Sequence, residues 1–166
     1  MSTFDRWSKN LLATPLGTRR RFPGHALRAI EKAITTVEAR HAGEIRFVIE
    51  TALDFGDLWA ARTPRQRAVE LFGRLGIWDT ERNNGVLIYL LMAERDVEII
   101  ADRGIASRVS ADEWEKVCRA MEQHFREGRF PEGAVAGIEA VGALLASHFP
   151  NEGGDRNEQP NRPVLL

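Results

Sequence analysis

The sequence holds a single cysteine, Cys118, among 166 residues. No internal disulfide can form, and nothing calls for an oxidising compartment. Neither sign of charge is in surplus, because 23 Lys and Arg against 24 Asp and Glu leave a formal net charge of -1. That balance withholds the broad basic footprint of a nucleic-acid binder. Apolar runs of about 20 residues, the length that spans a bilayer, are missing, and the opening "MSTFDRWSKNLLATPLGTRRRFPG" has no apolar signal-peptide core. A cytoplasmic protein without a transmembrane segment is expected. His25, His41, His124 and His148 fall on separate segments without ligand spacing, which with one cysteine disfavours zinc. Glycine-rich phosphate loops, nucleophile elbows and serine–base pairs are also wanting.

What is present reads as one globular unit, with 43% hydrophobic and 28% charged residues. Ala26, Leu27, Ile30, Ala33, Ile34 and Val37 make a stripe of helical period. In "EIRFVIET" the residues Ile45, Phe47 and Ile49 alternate with Arg46, Val48 and Glu50, predicting a strand with one dry face and one wetter one. Thr63 with Gln66, and Ser110 with Glu113, have capping-box spacing ahead of further apolar stripes. "GVLIYLLM" is apolar on both faces, as a central strand covered from both sides must be. "ERD" then turns into "VEIIAD", predicted to run antiparallel to it. The order of helix, strand, helix, strand, strand, helix, helix implies an α/β protein, with helices on both faces of a small mixed sheet.

Around a domain at residues 23–150 the sequence predicts an amphipathic, basic arm at 1–22 and a disordered polar tail at 151–166. In the arm, Phe4, Trp7, Leu11 and Leu12 share helical spacing and Arg19, Arg20 and Arg21 follow. The arm is expected to pack its aromatics on the domain, with contact to a membrane surface as the alternative.

The polar stretch at 79–85 stands directly before the most apolar strand. A right-handed crossover puts the starts of the first two strands at one end of the sheet. The hairpin then returns Asp102, Arg103 and Gly104 to Asn83, Asn84 and Glu44. Asp79, Glu81 and Asn83 offer oxygens at alternate positions, a device that wraps hard cations such as calcium, and Asp102 is the fourth candidate ligand. An EF-hand is excluded, because its sixth and twelfth places hold Asn84 and Leu90. Glu44, Arg82, Asn84, Arg103 and Gly104 are expected to line the cleft. The competing reading is an ordinary turn, whose Asp and Asn side chains bond their own backbone.

"LGIWDTERNNGVLIYL", "VEIIADRGI", "FREGRFPEGAVAGIEAVGALL" and "HAGEIRFVIE" resemble the TPM domain. The resemblance implies a Rossmann-like three-layer α/β/α sandwich. It also implies calcium binding, acid phosphatase activity or service to membrane-protein partners, all of which have been associated with the family. Where the family pattern reads Asp-Asn-Gly, this chain has Asn83, Asn84 and Gly85, and where the pattern after the third strand reads Gly-x-Gly-Leu-Glu it loses the carboxylate at Ala106 and gains one at Asp102. The expected function is therefore a non-catalytic binding module for calcium, another divalent cation or a protein partner. One alternative is a metal-assisted phosphatase with Arg82 or Arg103 orienting phosphate. Another is an accessory factor docking a membrane protein through the arm, peripheral to the membrane.

Overall fold

Strand β2 (Gly85–Leu91) is buried along its whole length, so it needs a neighbour on each edge and a layer on each face. The computed structural model, which describes residues 2–151 and 157–166, supplies all four. Strand β1 (Glu44–Glu50) lies parallel to β2, with Glu44 opposite Gly85. Strand β3 (Asp96–Ala101) lies antiparallel on the other edge, with Ala101 opposite Val86. A short β4 (Val164–Leu165) pairs parallel with β1, giving the order β3-β2-β1-β4.

Helices α3 (Gly24–Glu38), α7 (Ala111–Arg126) and α8 (Phe130–His148) cover one face. Their Ile30, Ile34, Phe125 and Ile138 pack with Phe47 and Ile88. On the other face, α4 (Phe55–Trp59) and α5 (Pro64–Arg74) bring Leu58, Ala68 and Leu71 onto Val48, Leu87 and Tyr89. This is the expected three-layer sandwich. Both capping boxes form, Thr63 with Gln66 at α5 and Ser110 with Glu113 at α7. Among the described helices α8 alone has the length and apolarity of a membrane span. Its Ile138, Val141 and Leu145 are fully buried in the domain core.

Three expectations are corrected. The face of β1 predicted to be wetter is buried too. Arg46 donates to the carbonyl oxygens of Pro160 and Arg162, while Glu50 takes Arg67 at 2.7 Å and the Tyr89 hydroxyl at 2.6 Å. Charged side chains are tolerated there because each has partners at hand. The segment read as a disordered tail instead provides β4 and these carbonyls; of it, residues 152–156 lie outside the described residues. Its mostly polar composition hid three apolar residues, Val164, Leu165 and Leu166, of which the first two complete the sheet edge.

The arm, finally, folds as α1 (Thr3–Leu12) and α2 (Pro15–Arg21). Trp7 meets Phe55 edge to face at 5.4 Å, as the packed-arm reading requires. The rest of the apolar stripe does not follow. α1 is pinned by polar residues, Arg6 and Asn10, which both reach Glu94 at 2.9 Å.

Candidate functional site

The register settles which groups share the end of the sheet. Because β1 and β2 are parallel and β3 returns, Glu44, Asn84 and Asp102 come to one rim. Backbone hydrogen bonds join them: Glu44 N donates to Asn84 O at 3.0 Å, and Asp102 N to Gly85 O at 2.9 Å. Gly104 N donates to Asn83 O at 3.1 Å. The Arg103 guanidinium reaches Asn83 Oδ1 through Nε and Nη2, both at 3.4 Å. Asn83, Asn84, Asp102, Arg103, Gly104 and Glu44 thus meet at one end of the sheet, as the crossover and hairpin rules predict.

Local chemistry shapes this rim. Asn83 has a left-handed backbone, φ 51°, which asparagine accepts more readily than most residues. Asn84 turns inward, its N–H donating to Thr80 Oγ1 at 3.1 Å and its side-chain amide to Ala42 O. Asp102 caps the short helix α6 (Arg103–Ala106), with Oδ1 accepting from Arg103 N at 2.7 Å. Gly104 passes so close to the loop that a Cβ there would lie 2.5 Å from Asn83 O and 2.9 Å from Arg82 O.

Among the described residues, Asn84 Oδ1 and Asp102 Oδ2 at the rim are buried without a partner, as are His41 Nε2, Arg46 Nε and Asp96 Oδ1. Burying a bare acceptor costs about 1–3 kcal/mol, so such atoms are uncommon unless something meets them. Asp79, Glu81 and Arg82 stand on the exposed side of the loop. Among the described residues no group of three or more His, Cys, Asp or Glu is placed to hold a metal ion. Asp79, Glu81 and Asp102 thus do not close into a carboxylate cage. The oxygens gathered at this rim are of the type a hard cation takes, and they are poor in charge.

Several members of this end of the molecule were not read from the sequence. Gln159 N donates to Glu44 Oε2 at 3.1 Å, and its side-chain amide reaches Gly76 O at 3.0 Å. Glu158 accepts from the backbone N–H of Glu81 at 3.1 Å. A cavity of about 230 Å³ lies beside Glu44, walled by Thr35, Glu38, Asn157 and Asn161. His41 is also buried here; Nδ1 accepts from Gly43 N at 3.1 Å, and burial lowers its pKa to about 4, so the ring is neutral. The only hint in the sequence was the apolar ending after a long polar stretch.

A larger groove lies elsewhere, about 670 Å³ between β3 and α7, lined by Asp96, Glu98, Trp114, Cys118 and Glu122. Burial pushes the Cys118 thiol up to about 12, with nearby acids adding to the shift, so it is a poor nucleophile. Size alone does not make this groove the site.

The TPM domain family model matches residues 23–144. The BA42 protein of the psychrophilic bacterium Bizionia argentinensis is 33% identical, with a TM-score of 0.76 over 86% of this chain and 93% of that one. An N-terminal domain from P. gingivalis superposes with a TM-score of 0.62 at 20% identity, covering 78% of this chain and 82% of the other. One from Corynebacterium glutamicum gives 0.55 at 19%, covering 80% and 77%. The last two show likeness of fold alone. No curated protein matches.

Proposed function

This protein belongs to the TPM domain family, and from that premise we propose that it is a non-catalytic binding module whose sheet-end rim takes a divalent cation, calcium first. The supporting observation is the pair of buried, unpartnered oxygens at one rim, Asp102 Oδ2 and Asn84 Oδ1. A cation held there would draw on Asp102 and Asn84, with water completing the shell. With one carboxylate at its centre the site should be weak, on the order of 10⁻⁴–10⁻³ M. A protein partner that brings its own carboxylate would strengthen it.

The phosphatase alternative needs a free cation-side guanidinium to orient phosphate. Arg103 is instead turned onto Asn83 Oδ1, and Arg82, the other candidate, stands on the exposed side of the loop. Binding is therefore the reading with support.

Isothermal calorimetry with calcium chloride tests it. The full chain should give saturable heat with millimolar affinity, Asp102→Ala should abolish it, and Asp79→Ala should weaken it at most a few-fold. Heat that is unchanged in Asp102→Ala, or absent from the parent protein, would overturn the reading.

A further inference from the structure

An amphipathic helix on a globular domain ordinarily turns its apolar stripe inward. Helix α1 does the reverse. Arg6 and Asn10, one turn apart, face the domain, where Asn10 is buried and also accepts from Leu53 N at 2.9 Å. Arg6 Nη2 adds a hydrogen bond to Arg62 O at 2.5 Å. At about 100° per residue, Phe4 and Leu11 must then point away from the domain with Leu12 beside them.

The outward stripe continues into a larger surface. Trp7 lies against Phe55, and Phe55 stacks on Trp59 with ring centroids 6.2 Å apart. Beyond the turn at Ala13 and Thr14, Leu16 extends it on α2. Phe4, Leu11, Leu12, Leu16, Phe55 and Trp59 are each 60% to 84% exposed. Scattered apolar residues on a surface need no explanation, but six large ones exposed on α1, α2 and the α4 segment that Trp7 touches do.

Charge indicates the occupant. On α2 the buried side is Thr18, whose hydroxyl meets that of Thr51 at 3.0 Å. Leu16, Arg19 and Arg20 lie on the opposite side and are exposed. The carboxylate on α1, Asp5, is held by Lys9 at 3.0 Å and adds no net negative charge, and that of Asp54 beside Phe55 is turned to cap α4, accepting from Asp57 N at 2.8 Å. Aromatic rings and leucines flanked by free guanidinium groups suit the boundary between headgroups and acyl chains of an anionic bilayer. Most of this surface, α1 and α2, precedes the segment matched by the family model.

We propose that α1, α2 and the Phe55–Trp59 pair form a docking face for an anionic lipid surface, holding the domain at a membrane with its cation rim away from the lipid-bound helices. The face is independent of the cation reading.

The test is co-sedimentation of the full chain with vesicles of phosphatidylcholine, with or without 30–40% phosphatidylglycerol as a rough composition chosen for anionic charge. The protein should pellet with anionic vesicles, lose most binding in about 0.5 M salt, and show a blue-shifted tryptophan emission. The triple change Phe4→Ser, Leu11→Ser, Leu12→Ser should reduce binding at least roughly tenfold, and Arg19→Ala with Arg20→Ala several-fold. All five side chains are exposed, so folding should survive, which circular dichroism verifies. The proposal fails if anionic vesicles leave the parent in solution, or if the triple variant pellets equally well. It also fails if sedimentation velocity shows a dimer that the triple variant dissolves, since a second copy would then cover the face.

Discussion

Gly104 is the residue at which the rim has least slack. With Asn83 O 2.5 Å from where a Cβ would be, Gly104→Ala must push α6 off the loop or twist the loop itself. A destabilisation of roughly 1–3 kcal/mol is expected in urea unfolding, together with weakened calcium binding. Asp96 offers a different single-residue test. Burial, with Glu98, Glu122 and Glu94 nearby and Arg6 opposing, lifts its carboxyl to about 7. Between about pH 4 and 7 the folded protein keeps a proton that the unfolded chain has released. Stability from this group therefore falls as pH rises through that window and is flat above it. Asp96→Asn should be about 1–2 kcal/mol more stable than the parent at pH 8, after discounting for partial exposure, and equal to it near pH 4. Thermal melts at the two pH values decide; a benefit that is the same at both would show that Asp96 does not titrate this way.

At the scale of elements, the legible parts were those with local signals. The capping boxes at Thr63 and Ser110, the doubly apolar β2 and the reversal at residues 93–95 each rest on neighbours in sequence, and all four stand in the structure. What was not legible depended on distant contacts. Periodicity showed that α1 has two faces but could not say which faces inward, because that is decided by Glu94 and Leu53. Likewise β4 is two residues long, and only the open edge of β1 gives it meaning. Leu166 N donates to Ile49 O at 2.9 Å, and Thr51 N to Leu166 O at 3.0 Å, so this strand shields an edge that would otherwise be open to other chains. A chain ending at Pro163 should lose about 1–3 kcal/mol and associate as its concentration rises, read by urea titration and light scattering. Unchanged stability and a monodisperse sample would show that β4 does not guard the edge.

For the whole molecule, fold and site follow from one chain of reasoning. Parallel β1 and β2, then antiparallel β3, oblige the polar loop before Val86 and the turn after Ala101 to meet. The sequence carried that meeting because strand direction is fixed by crossover and hairpin rules. It could not carry the closing of the same end by Glu158 and Gln159, since polar residues beyond the last helix give no periodic signal. The two proposed surfaces divide the molecule: an oxygen-lined rim at the sheet end, and an apolar, basic face on the arm.

Calcium titration followed by amide NMR tests the central claim most directly. Saturable shifts confined to Asn83, Asn84, Gly85 and residues 102–104 are expected, half complete at about 0.1–1 mM. Small, non-saturating shifts spread over exposed acids such as Glu115 and Glu127, with the rim silent, would contradict it.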